Sequence, residues 1–158
     1  MAGSRITYAT GRLVLWSRQP GRVDEQGAVL RSAPSQRLAI ANPRLAPYGR
    51  AALQVLTRLG LLAQWQPRIV QGDNIAQAYQ FVASENAELG LIALSQVYAE
   101  GRIASGSGWW VPADLHDPIR QDAVLLAAGR DQPAALALMA YLSSERARSV
   151  MQAHGYTR

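Results

Sequence analysis

The chain has 158 residues, 49% hydrophobic and 17% charged, which is the balance of a globular domain and argues against a disordered segment. The net charge of +5 comes from sixteen arginines scattered along the sequence, and without a basic stripe no nucleic-acid binding is expected. The absence of cysteine excludes disulfide bonds, thiolate metal sites and cysteine nucleophiles.

Neither a membrane span nor a secretory signal is recognisable along the sequence. The apolar run at residues 123–128 is far too short to cross a bilayer, and no apolar segment follows the first four residues. We interpret residues 1–4 as additions ahead of a natural sequence that begins near Arg5. On this interpretation a signal peptide is expected upstream.

The first half of the chain alternates short strands with helices. Runs of β-branched, aromatic and small apolar residues predict strands at residues 6–10, 13–16 and 38–41. Residues 17–35, with two prolines and two glycines, predict a loop holding one turn of helix. A longer helix is expected to begin at Pro47, where the missing N–H loses nothing, and to end before Gly60.

The second half continues the alternation. A brief strand is expected at residues 69–70, after which Asn74 caps a helix and Gln77 forms the reciprocal half of a capping box. Further strands are predicted at residues 89–94 and 123–127, with residues 101–118 irregular between them. Two helices then close the chain, and their buried faces are expected to carry Ala135, Leu138, Met139 and Leu142, and Ala147, Val150 and Met151.

This order of elements predicts an α/β fold. Strands separated by helices of this length imply βαβ units, hence a mainly parallel sheet covered on both faces. Two helices should begin at the carboxyl edge of that sheet, near residues 42–49 and 72–77. Free backbone N–H groups at such helix starts suit a small anion.

The sequence offers little for enzymatic chemistry. It has two isolated histidines, His116 in a loop and His154 near the C-terminus, and it contains no metal-binding His motif, no nucleophile elbow and no phosphate-binding loop. We therefore predict that the protein is not an enzyme and has no cofactor.

Five segments in order carry a resemblance to a known family. They are residues 39–52 (AIANPRLAPYGRAA), 72–78 (GDNIAQA), 87–96 (AELGLIALSQ), 118–126 (PIRQDAVLL) and 155–156 (GY). They resemble segments of the periplasmic molybdate-binding proteins, the ModA family. The resemblance implies a type II periplasmic-binding-protein fold, in which two α/β lobes enclose a cleft and two extended segments cross between them.

Carried onto this chain, the family's organisation implies four parts. The possible additions at residues 1–4 precede a first crossing strand at residues 5–16, and the second lobe spans residues 17–119. Residues 120–158 would form the return crossing together with a strand and helices that belong to the other lobe. The rest of that other lobe, which is the family's first lobe and carries its hydroxyl ligands, would lie outside the chain.

The resemblance also implies an anion site built from neutral donors. Tyr48 and Ile75 match positions that offer backbone N–H groups to molybdate or tungstate, with no metal site beyond these oxyanion ligands. Some members add a tyrosine at the position of Ala93, and we expect the Tyr48 hydroxyl to replace it. A dipole cluster in a dry cleft can hold a dianion without a buried Lys or Arg.

The implied function is the substrate-binding component of ABC-type molybdate import, located in the periplasm and partnered by a membrane permease. The alternative is an intracellular regulatory effector domain of the same fold that senses an anion or small metabolite. Because the C-terminal apolar faces would lack their covering lobe, we also expect this chain to form a homodimer through its C-terminal region.

Overall fold

The computed structural model describes residues 3–32 and 35–157. The predictions for residues 1–4, 17–35 and 120–158 extend to five residues that lie outside the described ranges, namely Met1, Ala2, Ala33, Pro34 and Arg158. The strands are β1 (Ile6–Gly11), β2 (Leu13–Ser17), β3 (Leu38–Ala41), β4 (Ile69–Gly72), β5 (Leu89–Ala93), β6 (Tyr98–Ala99), β7 (Arg102–Ile103), β8 (Ser107–Trp110) and β9 (Ile119–Ala123). The α-helices are α1 (Val29–Ser32), α2 (Pro47–Arg58), α3 (Leu62–Trp65), α4 (Ile75–Ala83), α5 (Pro133–Leu142) and α6 (Glu145–Ala153).

A five-stranded sheet in the order β4-β3-β5-β2-β8 forms the centre of the molecule. β3 pairs in parallel with β4 and β5, whereas β2 pairs antiparallel with β5 and β8. The prediction of a mainly parallel sheet therefore holds for one half only, and the whole sheet is mixed. The helices α2, α3 and α4 separate β3, β4 and β5 along the chain, as parallel pairing requires, whereas no α-helix lies between β5 and β8.

The two faces of the sheet are both buried, as predicted. Alternate residues of β2 point to opposite faces, so that Leu13 and Leu15 enter one apolar cluster with α2, while Val14 and Trp16 enter another with α4. This alternation between two helical layers is what makes every residue of β2 buried.

A separate two-stranded ribbon pairs β1 with β9 in antiparallel fashion. Asp122 of β9 accepts hydrogen bonds from Thr7 at 2.7 Å and from the guanidinium of Arg5, which ties the ribbon together at its far end. The ribbon leads directly into the sheet, because only Arg12 separates β1 from β2.

The prediction of a strand at residues 123–127 is wrong. The strand lies at Ile119–Ala123, where β1 supplies the pairing, whereas residues 124–126 are outside any strand and residues 127–129 form a short 3₁₀ helix. Residues 101–118 were also predicted to be irregular, but they contain β7 and β8. There, pairing with β2 overrides the weak strand propensity of the two glycines in residues 106–108.

The prediction that α5 buries an apolar stripe is also wrong for this chain. No residue of α5 is buried; Leu138 is 57% exposed, and Val150 of α6 is 50% exposed. Ala147 alone among the residues expected to be buried on the last two helices is fully covered. The side chains of Leu138 and Val150 are thus left largely open to solvent. Within residues 3–32 and 35–157, no helix is long and apolar enough to span a membrane.

Candidate functional site

The two predicted helix starts lie side by side at one edge of the sheet. β3 and β4 are parallel neighbours with Ala41 opposite Gly72, and each strand ends there and is followed by a helix. The N–H of Asn42 donates to the carbonyl of Gly72 over 2.7 Å, which joins the two loops immediately beyond the strands. Both α2 and α4 therefore direct their N-termini to the same edge, as the sequence predicts.

Asn42 organises the loop before α2. Its side-chain oxygen accepts from the N–H of Arg44 at 2.9 Å, and its carbonyl accepts from Leu45 and Ala46. The helix then begins at Pro47, and the N–H groups of the third and fourth helical residues are taken by Ala46. The N–H of Tyr48 has no hydrogen-bond partner among the described residues.

Gly49 allows α2 to begin this close to the sheet. A Cβ at this position would overlap the carbonyl oxygen of Ala41 and lie 2.7 Å from its carbon. The first turn of α2 is thus packed directly on the end of β3, which fixes the direction of the Tyr48 N–H relative to the sheet edge.

Asn74 caps α4 as predicted, and its side chain accepts from the N–H of Gln77 at 2.9 Å. The side chain of Gln77 accepts from the backbone N–H of Asp73 at 2.6 Å. The predicted capping box has the N–H of Asn74, one residue later, as the donor. The carbonyl of Ile75 is held by Gln96 at 3.1 Å. The Ile75 N–H, like that of Tyr48, has no partner within the part of the chain that the structure describes.

The ring of Tyr48 reaches the ribbon of β1 and β9. A Cβ at Gly11, the last residue of β1, would lie 2.9 Å from Cζ of Tyr48 and still closer to its hydroxyl, and 3.5 Å from the Gln121 amide nitrogen. The residue is only 8% exposed, and burial is the main cause that raises the pKa of its phenol, followed by Tyr156 and Tyr8. The phenol is therefore neutral at physiological pH.

Ala93 ends β5, opposite Leu13, and belongs to the same buried cluster as Tyr48. The Tyr48 ring itself lies over Gly11, which has no side chain to exclude it. Sequence reasoning missed the role of Gly11, because nothing in a strand pattern shows which distant ring will cover a glycine. A glycine at the end of a strand was the available signal.

No group of three or more His, Asp or Glu residues in the described chain is arranged to hold a metal ion. The hydrogen-bonding groups that organise the two helix starts are backbone amides and carbonyls and the side chains of Asn42, Asn74, Gln77 and Gln96. The arrangement thus presents neutral donors at the edge of the sheet.

A family model described as bacterial extracellular solute-binding protein matches residues 1–157. The chain belongs to this family. It is 58% identical to the molybdate-binding protein ModA of Azotobacter vinelandii over 99% of this chain and 62% of that protein. It is 46% identical to ModA of Rhodobacter capsulatus over 98% of this chain and 60% of that protein. The chain thus spans about three fifths of these relatives.

Solved structures agree with the family. The periplasmic molybdate-binding protein of Azotobacter vinelandii superposes with a TM-score of 0.92 at 43% identity, covering 100% of this chain and 69% of that one. The substrate-binding domain of a putative molybdenum ABC transporter from Clostridium difficile gives a TM-score of 0.74 at 19% identity, covering 100% and 68%, and so supports the fold alone. The fold is that of the type II periplasmic-binding proteins.

Proposed function

We propose that the chain is the anion-binding second lobe, with parts of the other lobe, of a molybdate receptor for ABC-type import. The observation that carries the proposal is the pair of unpartnered backbone N–H groups, on Tyr48 and Ile75, at two neighbouring helix starts. Helix N-termini combine free donors with a partial positive charge, which favours a dianion.

The relatives support molybdate as the ligand, because the proteins that are 58% and 46% identical to this chain are both named molybdate-binding proteins. Tungstate is included in the proposal, since it is a tetrahedral dianion of the same shape. The permease of the transporter would be the macromolecular partner, and the periplasm would be the location.

The chain spans about three fifths of its relatives, and this suggests which residues belong to which lobe of the receptor. Residues 5–16 would form the first crossing, residues 17–119 the second lobe, and residues 120–158 the return crossing and helices that pack on the first lobe. The ribbon of β1 and β9 fits this division, because it pairs the two segments expected to cross. The remaining anion ligands would come from a first lobe that is not among these residues.

Neutral donors suit transport. In a cleft closed to water, fixed dipoles stabilise a dianion without a buried counter-charge, and opening of the lobes then releases it without breaking a salt bridge. The relatives named above are binding proteins, which favours a receptor over the alternative of an intracellular effector domain.

The Ile75 N–H can be tested by itself, because Ile75 is the first residue of α4 and Asn74 before it is extended (φ −146°, ψ 174°). Proline is well tolerated at a first helical position after an extended residue. In the full-length receptor, Ile75→Pro removes one donor and should weaken molybdate binding by about 1.5–3 kcal/mol, as for a hydrogen bond to a charged group. Ile75→Val retains the N–H and should bind as the wild type does. Equal affinity of both variants in calorimetry would exclude the Ile75 N–H as a ligand.

A further inference from the structure

A cavity of about 470 Å³ lies where the ribbon meets the sheet. Its walls come from the turn between β1 and β2 and from the segment that leads from β8 to β9, and its apolar surface includes Trp110, Val111 and Pro118. Cavities of this size with a few polar groups in an apolar lining are typical of small-molecule sites. Neither Tyr48 nor Ile75 lines it.

Arg12 supplies a positive charge to this cavity. Its guanidinium carbon lies 4.7 Å from the centre of the Trp110 ring, a cation–π arrangement that places the charge beside one wall. Trp110 is fixed in turn by an edge contact with Tyr98, at 5.8 Å between ring centres. Arg12 forms no ion pair with any residue in the described ranges. A planar, held guanidinium is well suited to pair with a carboxylate.

His116 supplies an acceptor. It is only 7% exposed, and its Nδ1 lies 2.7 Å from the carbonyl oxygen of Asp117. Because a carbonyl oxygen only accepts, Nδ1 carries the proton, and in the neutral ring Nε2 keeps its lone pair. Nε2 has no hydrogen-bond partner among residues 3–32 and 35–157. This unpaired nitrogen, in a side chain that lines the cavity, is an acceptor available to a hydroxyl group of a ligand.

We propose that this cavity is a second binding site, for a small hydroxylated organic acid. Its carboxylate pairs with Arg12, its apolar body lies against Trp110 and Val111, and its hydroxyl donates to Nε2 of His116. The site does not include the backbone donors of Tyr48 and Ile75, although the Tyr48 hydroxyl lies against its lining residue Gly11. The proposal does not depend on the proposed import function.

The test uses 4-hydroxybenzoate as the probe, titrated into the folded chain by calorimetry, with 4-hydroxybenzamide as the matched compound that lacks the charge. We expect saturable binding of the acid and binding of the amide that is weaker by about 10-fold or more, corresponding to one charge-assisted pair. Arg12→Gln should remove this preference. Arg31→Gln removes the same charge from an exposed position on α1 and should leave binding unchanged.

The imidazole is tested by comparing 4-hydroxybenzoate with benzoate. Wild-type protein should prefer the hydroxylated acid, and His116→Phe, which keeps a planar ring but lacks Nε2, should bind the two acids equally. Circular dichroism establishes that this variant is folded. The proposal is overturned if 4-hydroxybenzoate shows no saturable binding at millimolar concentrations, or if Arg12→Gln binds it as tightly as Arg31→Gln does.

Discussion

The hydroxyl of Tyr48 covers Gly11, so that the first turn of α2 rests on the last residue of the ribbon strand β1. No side chain fits between them, since a Cβ on Gly11 would lie 2.9 Å from Cζ of the ring and closer to its oxygen. The contact joins the proposed anion site to the segment that we propose as the crossing between lobes. A movement of one is therefore expected to displace the other.

Gly11→Ala should force the Tyr48 ring out of its place and destabilise the chain by about 1–3 kcal/mol, the usual cost of overpacking. Urea denaturation measures this difference. Gly129→Ala is the matched control, because the nearest atom to a Cβ there is 3.1 Å away on a leucine side chain; its effect should stay within about 0.5 kcal/mol. If the overlap is the cause, Tyr48→Phe in the Gly11→Ala background should cost less than in the wild type.

Tyr48→Phe also tests the phenol as an anion ligand. In the full-length receptor we expect molybdate binding to weaken by about 0.5–2 kcal/mol, the range for one lost hydrogen bond. The residue is only 8% exposed and its hydroxyl has no hydrogen-bond partner among the described residues, so a ligand oxygen is a favourable acceptor for it. An unchanged dissociation constant in calorimetry would show that the phenol serves only to pack on Gly11.

Much of the structure of residues 17–119 could be predicted from sequence because its signals are local. Asn74 caps its helix, Pro47 starts another, and the buried strand at residues 38–41 is where the pattern places it. The failures depend on distant partners. The last strand forms at residues 119–123 because β1 lies beside it, and β8 is a strand because β2 pairs with it. Helix periodicity predicts an apolar face for α5 but not what covers it.

The uncovered face of α5 should make this chain associate. Leu136, Leu138 and Tyr141 are each close to half exposed or more, and exposed apolar clusters favour self-association. Light scattering should give a mass above the 17.1 kDa of one chain, and Leu138→Glu should shift the population toward the monomer. Leu45→Glu, at a site that is 75% exposed but distant in sequence, should not. A monomer at high concentration would refute the expected dimer.

The ribbon should lose stability in acid. The hydrogen bond from Thr7, then those from Arg5, lower the pKa of Asp122 below its ordinary value of 3.8. A carboxyl whose pKa is lower in the folded state stabilises that state above the ordinary value and loses this contribution as pH falls through the lowered one. Thr7→Val should therefore make the loss of stability below about pH 4 smaller. Thr7→Ser retains a hydroxyl and should show the same loss as the wild type. Identical pH profiles of urea midpoints for both variants would contradict this assignment.

The central claim, that two backbone N–H groups of this chain bind molybdate, is tested most directly by titrating sodium molybdate into the ¹⁵N-labelled chain. The amide resonances of Tyr48 and Ile75 should shift most, and sodium chloride at equal ionic strength should not reproduce the shifts. Saturation should require far more molybdate than an intact receptor needs, because donors from the other lobe are missing and water reaches the site. The account would be contradicted if the amide resonances of Tyr48 and Ile75 stayed unchanged while those of other residues shifted, or if no specific shift appeared.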